Sequence, residues 1–290
     1  MKIIKISFSS EISSELLKKI KSLLKTKKYK FNKIDIKNNN LKIFRKLEET
    51  EVFITKYYKI PEEFFLKKNQ LKLVHLTTSD YSFVDLNFFR KKKIIIKNNQ
   101  GANSVSVAEH IFLLMLSINR NFLDQVIIKN KLWKNLKHKN QELYNKKIGI
   151  IGMGNVGFEL AKRCVCFGMR VLYYDIQRKS LHFEKKNKIK FVSLIKLFQN
   201  SDFVSVNTSL TKSSDNLINK KNLKLMKKNS ILINTSRGRI LNEEDLYKVL
   251  KSKKIYFSAL DVFKQEPLPQ NSKLRKLNNI IMTPHCGPSK

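Results

Sequence analysis

The chain is poor in cysteine, glycine and proline: its 290 residues include three, eight and five of these, respectively. Three cysteines are too few for a disulfide framework, and Cys164 and Cys166 stand two residues apart, so on a helix their side chains point to different faces. No histidine or cysteine lies near them at zinc-ligand spacing. We therefore expect reduced thiols, no metal site and a cytoplasmic protein, because disulfides are rare in that compartment.

Long apolar runs are absent as well. The longest, Ile111 to Ile118, is far shorter than the roughly 20 residues that a membrane helix needs, so it predicts a buried helix instead. The apolar run at the N-terminus breaks at Ser7 and is followed by an acid, Glu11, which is not the pattern of a signal peptide. The sequence therefore predicts neither a membrane span nor secretion.

Acidic residues are scarce beside basic ones: 23 stand against 59, which gives a formal net charge of +36. Such an excess favours nucleic acid or an anionic membrane as a partner. The basic residues, however, occur as pairs and short runs along nearly the whole chain, without a run of five or a basic tail. We interpret most of them as solvated surface lysines that help to attract anionic substrates and cofactors, which leaves a charge-driven partner as the alternative.

Short β-rich runs alternate with helical segments, which is typical of parallel sheets covered by helices. The first part of the chain has five candidate strands: Ile3 to Phe8, Phe31 to Ile36, Val52 to Thr55, Leu71 to Leu76 and Ile94 to Ile96. A long amphipathic helix, roughly Ser104 to Asn119, leads into the second part. Six candidate strands follow there: Lys147 to Ile151, Arg170 to Tyr174, Phe203 to Val206, Ile231 to Asn234, Ile255 to Leu260 and Ile280 to Met282. Six strands with intervening helices predict a doubly wound Rossmann domain.

Half of the glycines fall in one short run, KKIGIIGMGNVG. It contains the pattern GxGxxG, directly after an apolar strand and at the start of a predicted helix, which is where a backbone must approach a pyrophosphate closely. The next strand ends in Asp175, eighteen residues after Gly157. An acid there accepts hydrogen bonds from the ribose hydroxyls and repels a 2′-phosphate, which favours NAD over NADP. The predicted NAD-binding residues are Gly152, Gly154, Asn155, Val156, Gly157 and Asp175.

Polar side chains follow the last three strands. Arg237 comes after the strand that ends at Asn234, Asp261 and Glu266 come after the next, and His285 comes after the last. Because ligands bind beyond the carboxyl ends of such strands, we expect these residues to converge at one edge of the sheet. Four of the five prolines flank Glu266 and His285, and proline stiffens a loop that must hold a side chain in place.

Seven runs in this part, in order, resemble the family of D-isomer-specific 2-hydroxyacid dehydrogenases. They cover most of Asn98 to His285 and read NNQGANSVSVAEH, IGIIGMGNVG, FGMRVLYYD, SDFVSVN, LMKKNSILINTSRG, ALDVFKQEPLP and TPH. The resemblance implies that Arg237 binds the substrate carboxylate and keto oxygen. It also implies that His285 is the acid and base, and that Glu266 holds it and favours its protonated form.

The resemblance extends to the cofactor pocket and the domains. It implies that Asp261 lies near the nicotinamide carboxamide and that Asn207 and Thr235 line the pocket. It further implies a flavodoxin-like substrate domain at residues 1–97, an NAD-binding Rossmann domain at residues 98–286 entered by the long helix, and a homodimer formed through that helix. His110, on the same helix, is the one other histidine that we single out for testing.

The chain departs from the family at two places. Where relatives have a substrate loop resembling TSAGYD, this chain has Asp80 at the position of the glycine, beside Ser79. We expect Ser79 and Asp80 to contact the substrate, although a carboxylate beside a bound carboxylate is repulsive unless it is neutralised. The chain also stops at Lys290, so residues 287–290 form a short tail where relatives continue into a return helix. The sequence leaves open whether Lys290 is the natural end.

These patterns predict an NAD-dependent oxidoreductase that interconverts a small 2-keto acid and its D-2-hydroxy acid. The alternative is a catalytically weak or inactive NAD(H)-binding regulatory protein of the same fold, which Asp80 and the short C-terminus favour. The intact Arg237, Glu266 and His285 favour the enzyme. We expect neither a specific nucleic-acid partner nor a membrane.

Overall fold

A computed structural model of the chain describes residues 3–24, 28–36, 41–56, 60, 64, 69–78, 84–122 and 141–287. The chain divides into two compact units, Met1–Ala102 and Asn103–Lys290. The boundary predicted between residues 97 and 98 lies within a strand, because Lys97 and Asn98 both pair with the neighbouring strand of the first unit. The structure places the division after that strand.

The first unit is a parallel sheet with helices. Its strands are β1 (Ile4–Ser9), β2 (Tyr29–Ile34), β3 (Val52–Thr55), β4 (Leu73–Leu76) and β5 (Ile95–Asn98), and its helices are α1 (Ser14–Leu23), α2 (Leu41–Glu48) and α3 (Leu86–Lys91). The strand order is β2-β1-β3-β4-β5. This is the flavodoxin-like order 2-1-3-4-5, which confirms the predicted fold class for this unit.

The second unit begins with α4 (Ser104–Asn119), at the bounds that the sequence predicts. Seven parallel strands follow: β6 (Lys147–Ile151), β7 (Arg170–Tyr174), β8 (Ile189–Phe191), β9 (Phe203–Val206), β10 (Ile231–Asn234), β11 (Phe257–Leu260) and β12 (Ile280–Met282). The helices between them are α5 (Asn155–Cys166), α6 (Leu181–Lys186), α7 (Leu194–Asn200), α8 (Lys220–Leu225) and α9 (Glu243–Lys251), with short 3₁₀ turns at Gly238–Ile240 and Lys273–Lys276.

The strand order of this second sheet is β12-β11-β10-β9-β6-β7-β8. Six of these strands have the Rossmann order, and β12 extends the sheet at one edge. The order reverses between β6 and β9, and ligands bind outside such a switch point. The prediction of a Rossmann fold is confirmed, although the sequence indicates only six of the seven strands and does not reveal β8.

The core of the second unit lies on both faces of its sheet. Ile150 packs with α4 and α5 on one face, and the adjacent Ile151 packs on the other. On α4, Ile111 and Met115 are fully buried, and burying each such side chain contributes roughly 1.5–3 kcal/mol. Among the helices that the structure describes, none combines the length and the apolar character needed to cross a membrane.

Several acidic side chains in this unit accept hydrogen bonds from distant backbone N–H groups. Asp202 accepts one from the N–H of Lys147 at 2.8 Å, at the start of β6. Asp245 accepts one from the N–H of Lys220 at 2.8 Å, at the start of α8. Hydrogen bonds to a charged acceptor are stronger than neutral ones, so these acids fasten neighbouring segments together.

Candidate active site

The glycine-rich loop between β6 and α5 has a shape that only glycine allows. Gly152 has a φ of +94°, and a Cβ there would lie 2.8 Å from the backbone of Asn207 and of Thr208. A Cβ on Gly157 would lie 2.1 Å from the carbonyl oxygen of Gly152, so α5 packs directly on the loop. Gly154 differs from both, because it caps α5 and a Cβ there would meet nothing within 4 Å. The loop therefore presents open space at a helix N-terminus, where phosphate groups bind.

Asp175 lies beside this loop, immediately after β7. Its Oδ2 accepts a hydrogen bond from the backbone N–H of Met153 at 2.7 Å, and its Oδ1 accepts one from Gln177 at 3.3 Å. The structure thus brings the predicted ribose-binding acid to the predicted phosphate-binding loop. Of the other two predicted residues, Asn155 is exposed at the start of α5, and Val156 packs against the core.

Two buried polar atoms lie beyond the ends of β9 and β10. In the described part of the chain, Asn207 Oδ1 and Thr235 Oγ1 have no hydrogen-bond partner. A buried polar atom without a partner costs about 1–3 kcal/mol, which a bound group with hydrogen-bond donors would recover. The two atoms, the open space at Gly154 and the acid at Asp175 together fit a dinucleotide that carries phosphates, hydroxyls and an amide.

His285 and Glu266 form a close pair. His285 Nδ1 lies 2.7 Å from Glu266 Oε2, and the other carboxylate oxygen of Glu266 accepts a hydrogen bond from the backbone N–H of Phe263 at 2.9 Å. His285 has a left-handed backbone, with φ of +52°, which costs a residue other than glycine about 1–2 kcal/mol. Its own N–H donates to the carbonyl oxygen of Asp261 at 2.9 Å, which helps to hold that conformation.

Asp261 fastens the loop that carries His285. Its carboxylate is fully buried and accepts hydrogen bonds from the hydroxyl of Thr283 at 2.6 Å and from the backbone N–H groups of Cys286 and Gly287 at 2.9 Å. Burial acts to raise the pKa of Asp261, but hydrogen bonds from His110, Thr283 and the two backbone groups outweigh it and lower the pKa to about 2. The carboxylate therefore stays ionised and holds the loop.

Arg237 lies on the loop after β10. Its Nη1 donates to the carbonyl oxygen of Ser236 at 2.7 Å, and its own carbonyl oxygen accepts a hydrogen bond from the side chain of Asn234 at 3.1 Å. The next residue, Gly238, packs on the backbone of Phe263, where a Cβ would lie 1.9 Å from the carbonyl carbon. The loop of Arg237 is thus in contact with the segment that leads to Glu266.

The model of the D-isomer specific 2-hydroxyacid dehydrogenase family, NAD binding domain, matches residues 112–287. The chain belongs to this family. A glyoxylate reductase of Korarchaeum cryptofilum is 35% identical over 233 residues, which are 79% of this chain and 70% of that protein. The dehydrogenase is therefore an oxidoreductase with NAD as its cofactor.

Two solved structures have the same fold. D-Lactate dehydrogenase from Aquifex aeolicus, in complex with NAD and lactic acid, is 27% identical, with a TM-score of 0.78 over 97% of this chain and 88% of that one. The acyclic imino acid reductase Bsp5, in complex with NADPH and D-Arg, is 26% identical, with a TM-score of 0.83 over 99% of this chain and 91% of that one. The fold thus accommodates either nicotinamide cofactor.

The histidine singled out for testing in the dehydrogenase, His110, has a hydrogen-bond partner beside the candidate site. His110 Nε2 lies 3.1 Å from the hydroxyl of Thr283, so this histidine of α4 adjoins the loop of His285. Thr283 was missed in the sequence, although it stands in the run TPH directly after β12. Ser79 and Asp80 lie outside the described residues, so their contact with substrate stays a prediction.

In the part of the chain that the structure describes, one group of side chains could hold a metal ion: His110, Asp261 and Cys286, whose ligand atoms lie within 4.8 Å of one another. The carboxylate in this group already has protein donors on both oxygens. Burial, followed by the charge of Asp261, raises the pKa of the Cys286 thiol, and a protonated thiol is a poor metal ligand. That no metal takes part stays a prediction.

Because Asp261 binds the loop of His285, its replacement should destabilise the folded protein. In Asp261→Asn, the side-chain NH₂ group replaces an oxygen that accepts hydrogen bonds, so it faces other donors. The free energy of unfolding at pH 7 should therefore fall by about 2–3 kcal/mol. The pKa of Asp261 in the folded state is about 2, below the ordinary value of 3.8. The stabilisation is therefore complete above the ordinary value and is lost as the pH falls towards 2.

Urea unfolding of both proteins at pH 7 and at pH 3 measures this effect. The difference between wild type and Asp261→Asn should be smaller at pH 3. Asp215→Asn, which removes a partly exposed acid paired with Arg239, is the matched control and should change stability by less than about 1 kcal/mol. A difference for Asp261→Asn that is the same at both pH values would contradict the assignment.

Proposed function

We propose that the dehydrogenase reduces a small 2-keto acid to the D-2-hydroxy acid, with His285 as the acid and base. The observation that carries this proposal is the 2.7 Å contact between His285 and Glu266, on a loop adjacent to that of Arg237. When bound, NADH supplies a hydride to the carbonyl carbon. The chain must then provide a proton for the developing alkoxide and a cation for the carboxylate.

His285 has the chemistry for the proton. An imidazolium can donate a proton near neutral pH, and the carboxylate of Glu266 at Nδ1 fixes the orientation of the ring. With Nδ1 engaged by Glu266, the nitrogen for exchange with the substrate is Nε2. In the reverse direction, the neutral ring accepts the hydroxyl proton through the same atom.

Arg237 has the chemistry for the carboxylate. Its guanidinium carries a planar fork of donors that matches a carboxylate in two hydrogen bonds. Gly238 brings its loop against the segment of Glu266, so the carboxylate and carbonyl ends of one small substrate can be bound together. Ser79 and Asp80 are proposed as further substrate contacts, as the family resemblance implies.

We propose Asp261 and the pair Asn207 and Thr235 as contacts of the nicotinamide half of the cofactor. The support for Asn207 and Thr235 is their unpartnered buried oxygens. Asp261 is fully buried among protein donors. The proposal for Asp261 is supported by its position directly after β11, which neighbours β10 and lies two strands from β9. Gly152, Gly154 and Gly157 would accommodate the pyrophosphate.

We also infer a homodimer in the cytoplasm. On α4, Val105 and Leu113 are exposed by 46% and 55%, and apolar side chains on a dimerisation helix would be covered by a second copy. The three cysteines are free, as expected in a reducing compartment. Sedimentation of the purified protein measures the oligomeric state.

A substrate panel tests the proposal. Purified protein with NADH and glyoxylate, pyruvate, hydroxypyruvate or phosphohydroxypyruvate should oxidise NADH with at least one of them. Arg237→Lys keeps the charge but loses the fork, so kcat/KM for that acid should fall about 10- to 100-fold. Tight NADH binding without turnover of any acid would contradict the proposal and favour the regulatory alternative.

A further inference from the structure

The loop after Asp175 contains two cations, Arg178 and Lys179. In a Rossmann domain this loop adjoins the adenosine ribose, and a nearby arginine there accommodates the 2′-phosphate of NADP. The chain as a whole has a net charge of +36, which attracts anions further. A preference for NAD therefore needs more than the repulsion from Asp175: the arginine, whose fork of donors suits a phosphate, has to be engaged elsewhere.

Arg178 is engaged by Glu184 in a two-bond fork. Its Nε donates to Oε1 at 2.7 Å and its Nη2 donates to Oε2 at 3.0 Å. The guanidinium also lies over the ring of Phe191, with its central carbon 5.3 Å from the centroid. A fork and a stacking contact together fix both the position and the plane of the guanidinium.

Glu184 is in turn held in place by a buried tyrosine of the second unit. It is buried on α6, and its Oε1 accepts a hydrogen bond from the hydroxyl of Tyr173 at 2.9 Å. The same hydroxyl accepts one from the backbone N–H of Lys179 at 2.9 Å, which fixes the loop itself. The hydrogen bond from Arg178 and, against burial, that from Tyr173 lower the pKa of Glu184, so the carboxylate remains charged.

We propose that Glu184 is a specificity-determining residue that excludes NADP by holding Arg178 away from the 2′-phosphate. Asp175 repels that phosphate, and Glu184 removes the cation that would compensate for the repulsion. The fold does not make this choice, since the imino acid reductase is a complex with NADPH. The inference concerns only the choice of cofactor and does not depend on the keto acid. It can therefore fail while the proposed function holds, and the proposed function can fail while the inference holds.

Titrations of NADH and NADPH, followed by nucleotide fluorescence, test the inference without turnover. In Glu184→Gln, the amide oxygen still accepts from Tyr173 but the charged fork is lost. The Kd for NADPH should fall about tenfold, as expected for one charge-assisted contact, while that for NADH stays within about twofold. Adding Arg178→Gln to this variant should remove the gain.

The matched control is Glu244→Gln on α9, which removes the same charge from a carboxylate that lies 3.1 Å from Lys273 Nζ. It should leave both Kd values unchanged. An equal NADPH gain in the control would assign the effect to net charge and overturn the inference. So would a folded Glu184→Gln protein without any gain.

A second variant covers the case in which Glu184→Gln does not fold. Arg178→Gln alone should leave the Kd for NADPH unchanged, because the arginine of the wild type is held by Glu184. Weaker NADPH binding in this variant would show that Arg178 already reaches the 2′-phosphate, which overturns the inference.

Discussion

Replacement of His285 by asparagine should lower kcat by about 10²- to 10⁴-fold, the usual contribution of a positioned general acid. Asparagine is the sharpest choice here because the backbone of His285 is left-handed, with φ of +52°, and asparagine tolerates that conformation better than alanine. The hydrogen bond from the backbone N–H at position 285 to Asp261 is then kept. The change therefore removes the imidazole with little effect on the loop.

Steady-state kinetics with the best acid of the panel, together with NADH titration, measures this effect. The Kd for NADH should change by less than about threefold, because the imidazole acts on the keto acid. Glu266→Gln should have a smaller effect on kcat than His285→Asn, since it weakens the contact that orients the ring but leaves the proton donor in place. A His285→Asn protein that keeps a tenth of its kcat would exclude His285 as the acid.

Gly238→Ala should destabilise the second unit by about 3 kcal/mol and abolish turnover. The added Cβ would lie 1.9 Å from the carbonyl carbon of Phe263 and 2.1 Å from its oxygen. Both neighbours are backbone atoms, so no side-chain rotation can relieve the contact. The loops of Arg237 and Glu266 would have to separate, and those loops hold the two ends of the proposed substrate.

Gly154→Ala is the matched control, because a Cβ there would meet no atom within 4 Å. It should unfold at the same urea concentration as the wild type, yet it should bind NADH more weakly, since the methyl group fills the space for the pyrophosphate. Urea unfolding and NADH titration of both variants separate the two effects. Equal unfolding midpoints for Gly238→Ala and wild type would show that the contact at Phe263 is relieved at no cost.

Most of the fold could be predicted from the sequence because its periodic segments are strong. The bounds of α4 agree with the prediction, and each of the five strands of the first unit overlaps a predicted one. The missed strand, β8, has three residues, of which only Ile189 is buried. The strand β12 is equally short but is an unbroken apolar triplet, whereas β8 has an exposed lysine between Ile189 and Phe191 and joins the sheet at the edge that β7 offers.

The convergence of residues that follow strand ends was predictable. Parallel strands end at one edge, and this rule alone brings Glu266 and His285 to the same place. The fastening of the loop by Asp261 was not predictable, because its donors come from residues 283–287, and which atoms meet depends on the register of β11 and β12. The fork between Arg178 and Glu184 was missed as well, because Arg178 lies in a loop and Glu184 on the short helix α6, so no helical spacing relates them.

The acids that bind distant backbone N–H groups limit where this basic chain can carry further lysines. With 59 basic residues against 23 acidic ones, the lysines are numerous, and substitutions of exposed residues usually change stability by less than about 0.5 kcal/mol. Asp202, Asp245 and Asp261 each hold segments together, so a lysine at any of them would break a contact. We therefore expect most surface positions of this enzyme to tolerate lysine, whereas the positions of these three acids should not.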